Sequence, residues 1–579
     1  MLNLFDFVLV SGDAEVDHPS FAAALLSRWL EANGFSTGVI AQPDWRSPED
    51  FRILGRPRLA FLVSAGAMDS LVAHYTANKK RRSQDAYSHG GEAGCRPDRA
   101  IITYCAKIRE AWKDVSIIIG GIEASLRRYA HYDYWSDTVR RSVLLDSKAD
   151  ILVYGMGEKP ILEIAQRLAA GEGLRGIRGA CWRTGKAGDV PAEAALLPSF
   201  EDVSARTEEG KAAFARSYLI QEQNACPVTG GVLAERSGSQ FVVHERPAEP
   251  LTTAEFDQVM ELPYARRWHP RYDAPASNGK RGIPALQEVL FSLVSVRGCF
   301  GSCAFCAIAF HQGRRIQARS HKSLIREATA LTKHPDFKGY IHDVGGPTAN
   351  FRLPPCEKQE RAGCCAGQDC LGATPCPSLT VDHRDYIALL RKLRVIPGVK
   401  KVFVRSGIRF DYVMLDKDPA FLRELCEYHV SGQLKVAPEQ VSDRVLALMR
   451  KSSHTVYDAF AAAYAKTNRV LGKKQYLVPY YIASLPGAGL REAAEAALYL
   501  KETGFVPDQV QDFYPTPGSL ATCMYYTGLD PHTGKAVYAA RGERERRLQR
   551  ALLQFNKPEN AALVREALTK AGLPADLLK

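Results

Sequence analysis

The sequence has no run approaching the roughly 18 consecutive apolar residues that a membrane-crossing helix needs, so no span is expected. It has no low-complexity tract and no internal repeat beyond a strand–helix alternation, which sets aside solenoid and linker-like designs. The N-terminus, MLNLFDFVLVSG, has no basic n-region and no small-residue cleavage site, and aspartate interrupts it early. It reads as a first buried strand rather than a secretory signal, and the expected location is cytoplasmic. A strong charge imbalance is also missing. The 76 basic and 64 acidic side chains leave +12 over 579 residues, an excess that suits an anionic partner such as nucleic acid without establishing one.

What is present is an ordinary globular composition, 46% hydrophobic and 24% charged, in a chain long enough for several domains. The fourteen cysteines are unevenly spread. Three fall at 299, 303 and 306, and five more lie between 356 and 376. In a long chain without a secretory signal, such groups favour metal ligation over disulfides.

Residues 1–180 alternate apolar runs (5–12, 58–66, 115–121, 149–157) with helical patterns (20–33, 98–112, 159–169), which predicts a mostly parallel sheet covered on both faces. Residues 181–285 are rich in Gly, Pro and charge and read as a wrapping and linking region. From 286 the alternation is regular. Strands are expected at 289–296, 339–344, 401–405, 433–437, 475–483 and 508–513, with helices at 320–333, 383–394, 418–428, 441–450, 456–469 and 490–502. Six strand–helix units form an open sheet or a partly closed barrel, with the site at the C-terminal strand ends. Residues 544–579 read as a small helical appendage.

Where the first of these strands ends, VRGCFGSCAFCAIAFHQGR (296–314) carries Cys299, Cys303 and Cys306 as C-x3-C-x2-C. A four-iron cluster that only transfers electrons usually takes four thiolates. Three leave one iron open, as a catalytic zinc keeps an open position. S-adenosylmethionine can fill that position through its amino and carboxylate groups. A zinc knuckle with His311 as fourth ligand is the alternative that the spacing leaves standing.

The loop and the six units resemble the core of the radical S-adenosylmethionine (SAM) superfamily, and Phe305 matches the aromatic that usually precedes its third cysteine. A longer resemblance, to the YgiQ-type branch, covers about 1–560. It rests on YTANKKRRSQDAYSHGG (75–91), IIGGIEASLRRYAHYDYWSD (118–137), the cysteine loop and FYPTPGSLATCMYYTG (513–528). The implied fold is α/β: a partial (β/α)6 radical-SAM barrel (286–543, with a cysteine-rich insertion at 350–379) and an N-terminal doubly wound, cobalamin-binding-like domain (1–180). The implied cofactors are a [4Fe–4S] cluster and SAM, and the partners a reductant such as flavodoxin or ferredoxin and a substrate the sequence does not name. The implied chemistry is reductive cleavage of SAM to a 5′-deoxyadenosyl radical that abstracts hydrogen from that substrate. Two alternatives stand beside it: an iron–sulfur binding or sensing protein without turnover, and a methylthiotransferase-like enzyme modifying RNA or protein.

By the same resemblance, the backbone of Gly345 and Gly346 meets the methionine amino group, although Pro347 stands where an acidic residue is usual. Ser406 and Arg409 contact ribose and carboxylate. Glu439 bonds the ribose or caps the following helix. The strand end at 481–489 lies near adenine, and 512–519 closes over the site. In isolation a Gly-Gly pair is a turn, and Arg409 reads equally as a surface loop arginine. In the insertion, Cys356, Cys364, Cys365, Cys370 and Cys376 suit an auxiliary [4Fe–4S] cluster or a structural zinc. Cys364 and Cys365 are adjacent, so one is expected to serve, and the family-like set is Cys356, Cys365, Cys370 and Cys376. In the N-terminal domain the usual cobalt-ligand motif is missing around His18. Lys79–Arg82 with Arg127 and Arg128 read as an anion-binding patch or as a solvated charge run.

Overall fold

The computed structural model describes residues 5–507 and 509–578. It divides into two compact units. The first comprises the chain up to Ser292 together with Phe310–Gly313 and Ala362–Cys364, and the second holds Leu293–Ala309, Arg314–Arg361 and the chain from Cys365 onward.

The first unit is built on a nine-stranded sheet. Its strands are β1 (Phe7–Ser11), β2 (Thr37–Ala41), β3 (Ala60–Ser64), β4 (Ile117–Gly120), β5 (Ile151–Val153), β6 (Ala180–Thr184), β7 (Ala195–Leu196), β8 (Leu233–Ser237) and β9 (Gln240–His244). The order is β7-β8-β9-β6-β5-β4-β3-β1-β2, and β2-β1-β3-β4-β5 are parallel. Because strand side chains alternate, Val8, Val10, Phe61, Val63, Ile117 and Ile119 share one face. They pack with Ile101, Tyr104 and Ile108 of α1 (Ala100–Ala111) in one buried cluster. Each such side chain contributes about 1.5–3 kcal/mol on burial. β1 is buried at every residue, as a parallel strand covered on both faces should be.

Two expectations need correction here. Residues 181–285 do not form an irregular linker. They supply β7–β9, which extend the same sheet through the antiparallel neighbours β6, β9 and β8. They also supply the helices Glu208–Gln223 and Thr253–Met260. The signal was missed because each strand is short and closed by turns. The boundary at 180 therefore moves to 292. The basic stretch also dissolves into separate roles. Arg127 is buried against Asp69. Arg128 is buried over the rings of Tyr129, Tyr154 and Phe310, at 4.7, 4.6 and 3.9 Å, and Lys79 lies over Tyr134 and Trp135. Lys79, Lys80, Arg81 and Arg82 are all exposed, as a solvated charge run should be, while Arg127 and Arg128 are buried apart from it.

The second unit is a partial barrel. It begins at β10 (Ser292–Val294), which pairs with Asp343–Gly345. The continuation Val296–Arg297 turns aside to pair antiparallel with Gln317–Ala318. Tyr340–Ile341 pairs in parallel with Lys401–Val402, and Gln433–Glu439 pairs in parallel with Tyr476–Ala483, which then pairs with Gln511–Asp512. Position 508 of the strand expected at 508–513 lies outside the described residues. Helices follow the strands at His321–Leu331, Arg384–Arg394, Ala420–Glu424, His454–Val470 and Leu490–Thr503. The one expected at 418–428 is an α-turn that loosens into a π-helical turn at Leu425–His429. The C-terminal helices Glu543–Leu553 and Ala561–Lys570 share a buried cluster with Leu490–Thr503, through Leu548, Leu552, Leu563, Val564 and Ala493. The appendage is therefore an integral layer of this unit.

Candidate functional site

The antiparallel pair Val296–Arg297 and Gln317–Ala318 clamps the base of the cysteine loop. The loop itself is pinned at its middle. Phe300 is fully buried and stacks on Phe351 at 3.7 Å between centroids, with Tyr412 edge-on. Ala304 donates its N–H to Met449 and accepts from Ala521, at 3.0 and 2.9 Å. Cys306 donates its backbone N–H to the carbonyl of Cys303 at 3.0 Å, a tight turn that places the second and third thiols side by side.

The three thiols share one electrostatic environment. Burial, and then the neighbouring Cys303, pushes the Cys299 thiol up; the same two causes push Cys306 up to about 12. Cys299 and Cys306 therefore hold their protons more tightly than free thiols, and a metal must displace those protons to bind. The compensating charge is Arg409. Its Nη1 donates to Cys303 Sγ at 3.3 Å, and its other face pairs with buried Asp411 (Nε to Oδ1 2.9 Å). Burial works against that guanidinium, but Asp411 and then Cys303 hold its pKa above the ordinary value. The Thr348 hydroxyl lies 3.5 Å from Cys299 Sγ.

Other expected cofactor contacts are brought to the same end of the barrel with different partners. The Ser406 hydroxyl donates to Asp343, whose carboxylate also accepts from the N–H groups of Arg405 and Ser406 at 2.7 and 2.9 Å. Arg409 points to Cys303 and Asp411. The carbonyl of Gly345 accepts from Ser295 N at 2.7 Å. At Gly346 a Cβ would stand 2.2 Å from the carbonyl oxygen of Val296, so only glycine lets this strand end pass the cysteine strand. Glu439 is not a helix cap, because Ser442 occupies that position before Asp443–Leu448. It ends its strand after a bulge, at φ +71°, a conformation costing a non-glycine residue about 1–3 kcal/mol. Burial raises its pKa although Lys451 and then Arg409 oppose this. Asp343 and Asp411 were missed from the sequence. The only signal was an acidic residue within the expected strand 339–344 and another six residues after the strand 401–405.

The insertion is closed across its base and held along its path by Arg314. Thr380 N donates to Pro355 O at 2.7 Å across its base, and Cys376 N to Cys370 O at 3.1 Å. Arg314 donates to the carbonyls of Cys365 and Gln368 at 3.1 and 2.9 Å and approaches Cys370 Sγ at 3.9 Å. Burial pushes the Cys370 thiol up to about 11, with Cys356 and Cys376 close enough to add to the shift. Cys370 and Leu371 join Phe300, Phe351 and Cys299 in one apolar cluster. Among the described residues no three His, Cys, Asp or Glu side chains converge on the point a single metal ion needs. A lone zinc, with Zn–S near 2.3 Å, requires closely converging sulfurs, whereas a four-iron cubane spreads them around a larger core.

At the carboxyl edge of the first unit's sheet, the chain reverses direction beside β1, where such folds bind ligands. A cavity of about 400 Å³ there is lined by Ser11, Asp13, Ser64, Gly66 and residues near 265–270. Asp13 is paired with Arg96 at 3.0 Å, and Arg96 with Asp85 at 2.8 Å. At Gly66 a Cβ would meet the Asp13 carboxylate at 2.1 Å. Both His18 ring nitrogens are engaged, Nδ1 with Ser20 N at 3.1 Å and Nε2 with Arg266 at 3.2 Å. These contacts occupy both ring nitrogens of His18, in keeping with a loop residue rather than a cobalt ligand.

With this geometry in view, similarity to known proteins narrows the class. Residues 2–292 match the radical SAM N-terminal region, and residues 508–578 match a domain of unknown function, DUF3362. The chain is 53% identical over 573 residues to a UPF0313 protein of Clostridium botulinum (strain ATCC 19397 / Type A), covering 98% of this chain and 87% of the relative. It is 52% identical over 570 residues to UPF0313 protein CPE1196 of Clostridium perfringens (strain 13 / Type A), covering 98% and 85%. The chain belongs to the UPF0313 family of radical SAM proteins, and as a member it is a radical SAM enzyme. In fold it is similar to the methyltransferase TsrM of Kitasatospora setae with cobalamin and a [4Fe–4S] cluster bound (TM-score 0.51, 14% identity, 98% of this chain and 96% of that one). It is similar also to the radical enzyme OxsB with aqua-cobalamin and SAM bound (TM-score 0.51, 11% identity, 98% and 69%).

Proposed function

We propose that Cys299, Cys303 and Cys306 hold a [4Fe–4S] cluster with one open iron for SAM. When bound, such a cluster supplies the electron that cleaves SAM to a 5′-deoxyadenosyl radical, which takes hydrogen from the substrate. The observation carrying this reading is one loop in which burial and then Cys303 raise the proton affinity of Cys299 and Cys306, while the buried Arg409 guanidinium donates to Cys303 Sγ at 3.3 Å. Arg409 balances the charge that the thiolates bring into the interior, and Asp411 keeps it aimed at them. Phe300, Phe351 and Tyr412 wall the loop from water, which a radical reaction requires. Asp343 fixes the backbone of Arg405 and Ser406 at the neighbouring strand end, and Gly346 lets that edge approach closely.

The insertion supports a second centre on Cys356, Cys365, Cys370 and Cys376. No single-ion grouping is formed among the described residues, which suits the larger core of a cluster better than a lone zinc. Among the described residues no helix is long and apolar enough to cross a membrane, in keeping with a cytoplasmic enzyme fed by a flavodoxin or ferredoxin.

The test is anaerobic reconstitution with iron and sulfide, reduction, and chromatography for 5′-deoxyadenosine. Formation of the nucleoside that depends on Cys303 is expected. A protein that binds iron and is reduced yet cleaves no SAM would replace this reading with the iron–sulfur binding or sensing one.

A further inference from the structure

The adjacent pair Cys364–Cys365 leaves one cysteine over. Cys364 groups with the first unit, while Cys365 remains in the second. Inside the first unit it meets Cys226, which lies in the turn ACPVTGG (225–231) after the helix Glu208–Gln223. The Cys364 N–H donates to Cys226 Sγ at 3.2 Å, across 138 residues of sequence. Val228 and Thr229 of the same turn, like Cys364, act on Cys226 in the direction that favours its thiolate. The turn is closed by Gly230 N donating to Cys226 O at 2.8 Å. Gly363, at φ +82°, makes the approach feasible, since a Cβ there would stand 2.7 Å from Cys226 Sγ and 2.8 Å from Val228 Cβ. Two cysteines from distant segments are thus pressed together by a glycine turn. Among the described residues no third metal-ligating side chain completes a single-ion site around them.

We propose that Cys226 and Cys364 are a redox pair that closes reversibly into a disulfide, with a small disulfide such as glutathione disulfide as oxidant. Cys364 is the more accessible partner, because Cys226 is only 7% exposed. Cys364, deprotonated, attacks one glutathione sulfur; that S–S bond breaks and one glutathione thiolate leaves. Cys226 Sγ then attacks the Cys364 sulfur of the mixed disulfide and expels the second glutathione thiolate. The Cys226 thiolate, the Cys364 thiol, one glutathione disulfide and one proton from solvent become one protein disulfide and two glutathione thiols, with two electrons passing to glutathione. The hydrogen bonds from Cys364 and then the three backbone N–H groups favour the Cys226 thiolate, drawing its pKa down to about 4. Closure would fix Ala362–Cys364 within the first unit, one residue before Cys365. The inference does not depend on radical chemistry.

The experiment incubates the reconstituted full-length protein anaerobically in glutathione buffers of increasing oxidation. It is then acid-quenched, alkylated, digested and mapped by mass spectrometry, with iron counted on the same samples. Expected are a peptide joining Cys226 to Cys364 whose ratio to the reduced pair falls with the square of the glutathione concentration at fixed glutathione disulfide, and its loss on thiol reduction. Cys226→Ser should trap Cys364 as a glutathione adduct without lowering iron content, and Gly363→Ala should suppress the cross-link. Full alkylation of both cysteines at every ratio would overturn the proposal. So would loss of iron in Cys364→Ser, which would make Cys364 a cluster ligand.

Discussion

The two cysteine groups of the second unit differ in what neutralises them. Cys299, Cys303 and Cys306 face a fully buried, permanently charged guanidinium that Asp411 holds in place. Cys356, Cys365, Cys370 and Cys376 are gathered mainly by Arg314, acting on backbone carbonyls and only distantly on one sulfur. The first arrangement fixes charge at a reacting centre, where preorganised electrostatics matter most. The second fixes a chain path. A metal centre that holds a loop together needs the latter, and one that must cycle electrons and keep an iron open needs the former.

The comparison can be broken most sharply by exchanging the groups' roles. Cys303→Ala should abolish 5′-deoxyadenosine formation, whereas Cys370→Ala should lower iron content and leave SAM cleavage measurable; equal loss in both would erase the distinction. Arg409→Gln comes next. It leaves Asp411 charged and buried without its partner, a change that typically costs about 3–5 kcal/mol, read as a lower denaturant midpoint together with poor cluster retention. Arg314→Ala should cost less, about 1–3 kcal/mol for the orphaned carbonyls, with faster proteolysis inside 350–379 and little change in the triad's spectrum.

Glu439 separates chemistry from strain. Glu439→Gly and Glu439→Ala both lose the carboxylate and should lose activity alike. The glycine variant should be more stable by about 1 kcal/mol, because only it accepts φ +71° without cost. Equal stability would remove the strain argument. The smallest effect is expected from Thr348→Val, which deletes the hydroxyl beside Cys299 Sγ and should shift the cluster's reduction potential without lowering iron content.

The legible parts of the molecule were those with strong periodicity or unusual spacing. The fully buried parallel strands β1, β3 and β4 and the C-x3-C-x2-C loop could be read directly. β7–β9 could not, because short antiparallel strands closed by tight turns resemble loops when hydrophobic runs are the signal. The direction of Arg409 was also hidden. A guanidinium suits a carboxylate ligand and a thiolate cluster equally well, and only the fold places Asp411 and Cys303 on either side of it. The pairing of Cys226 with Cys364 spans 138 residues and leaves no local trace.

The central claim is tested most directly in a variant with Cys356, Cys365, Cys370 and Cys376 all replaced by alanine. Its iron is counted and its reduced spin-resonance spectrum recorded with and without SAM. The account predicts about four irons per chain and a spectrum that changes when SAM is added. A protein that retains no iron, or whose spectrum ignores SAM, would contradict the assignment of an open-iron cluster to Cys299, Cys303 and Cys306.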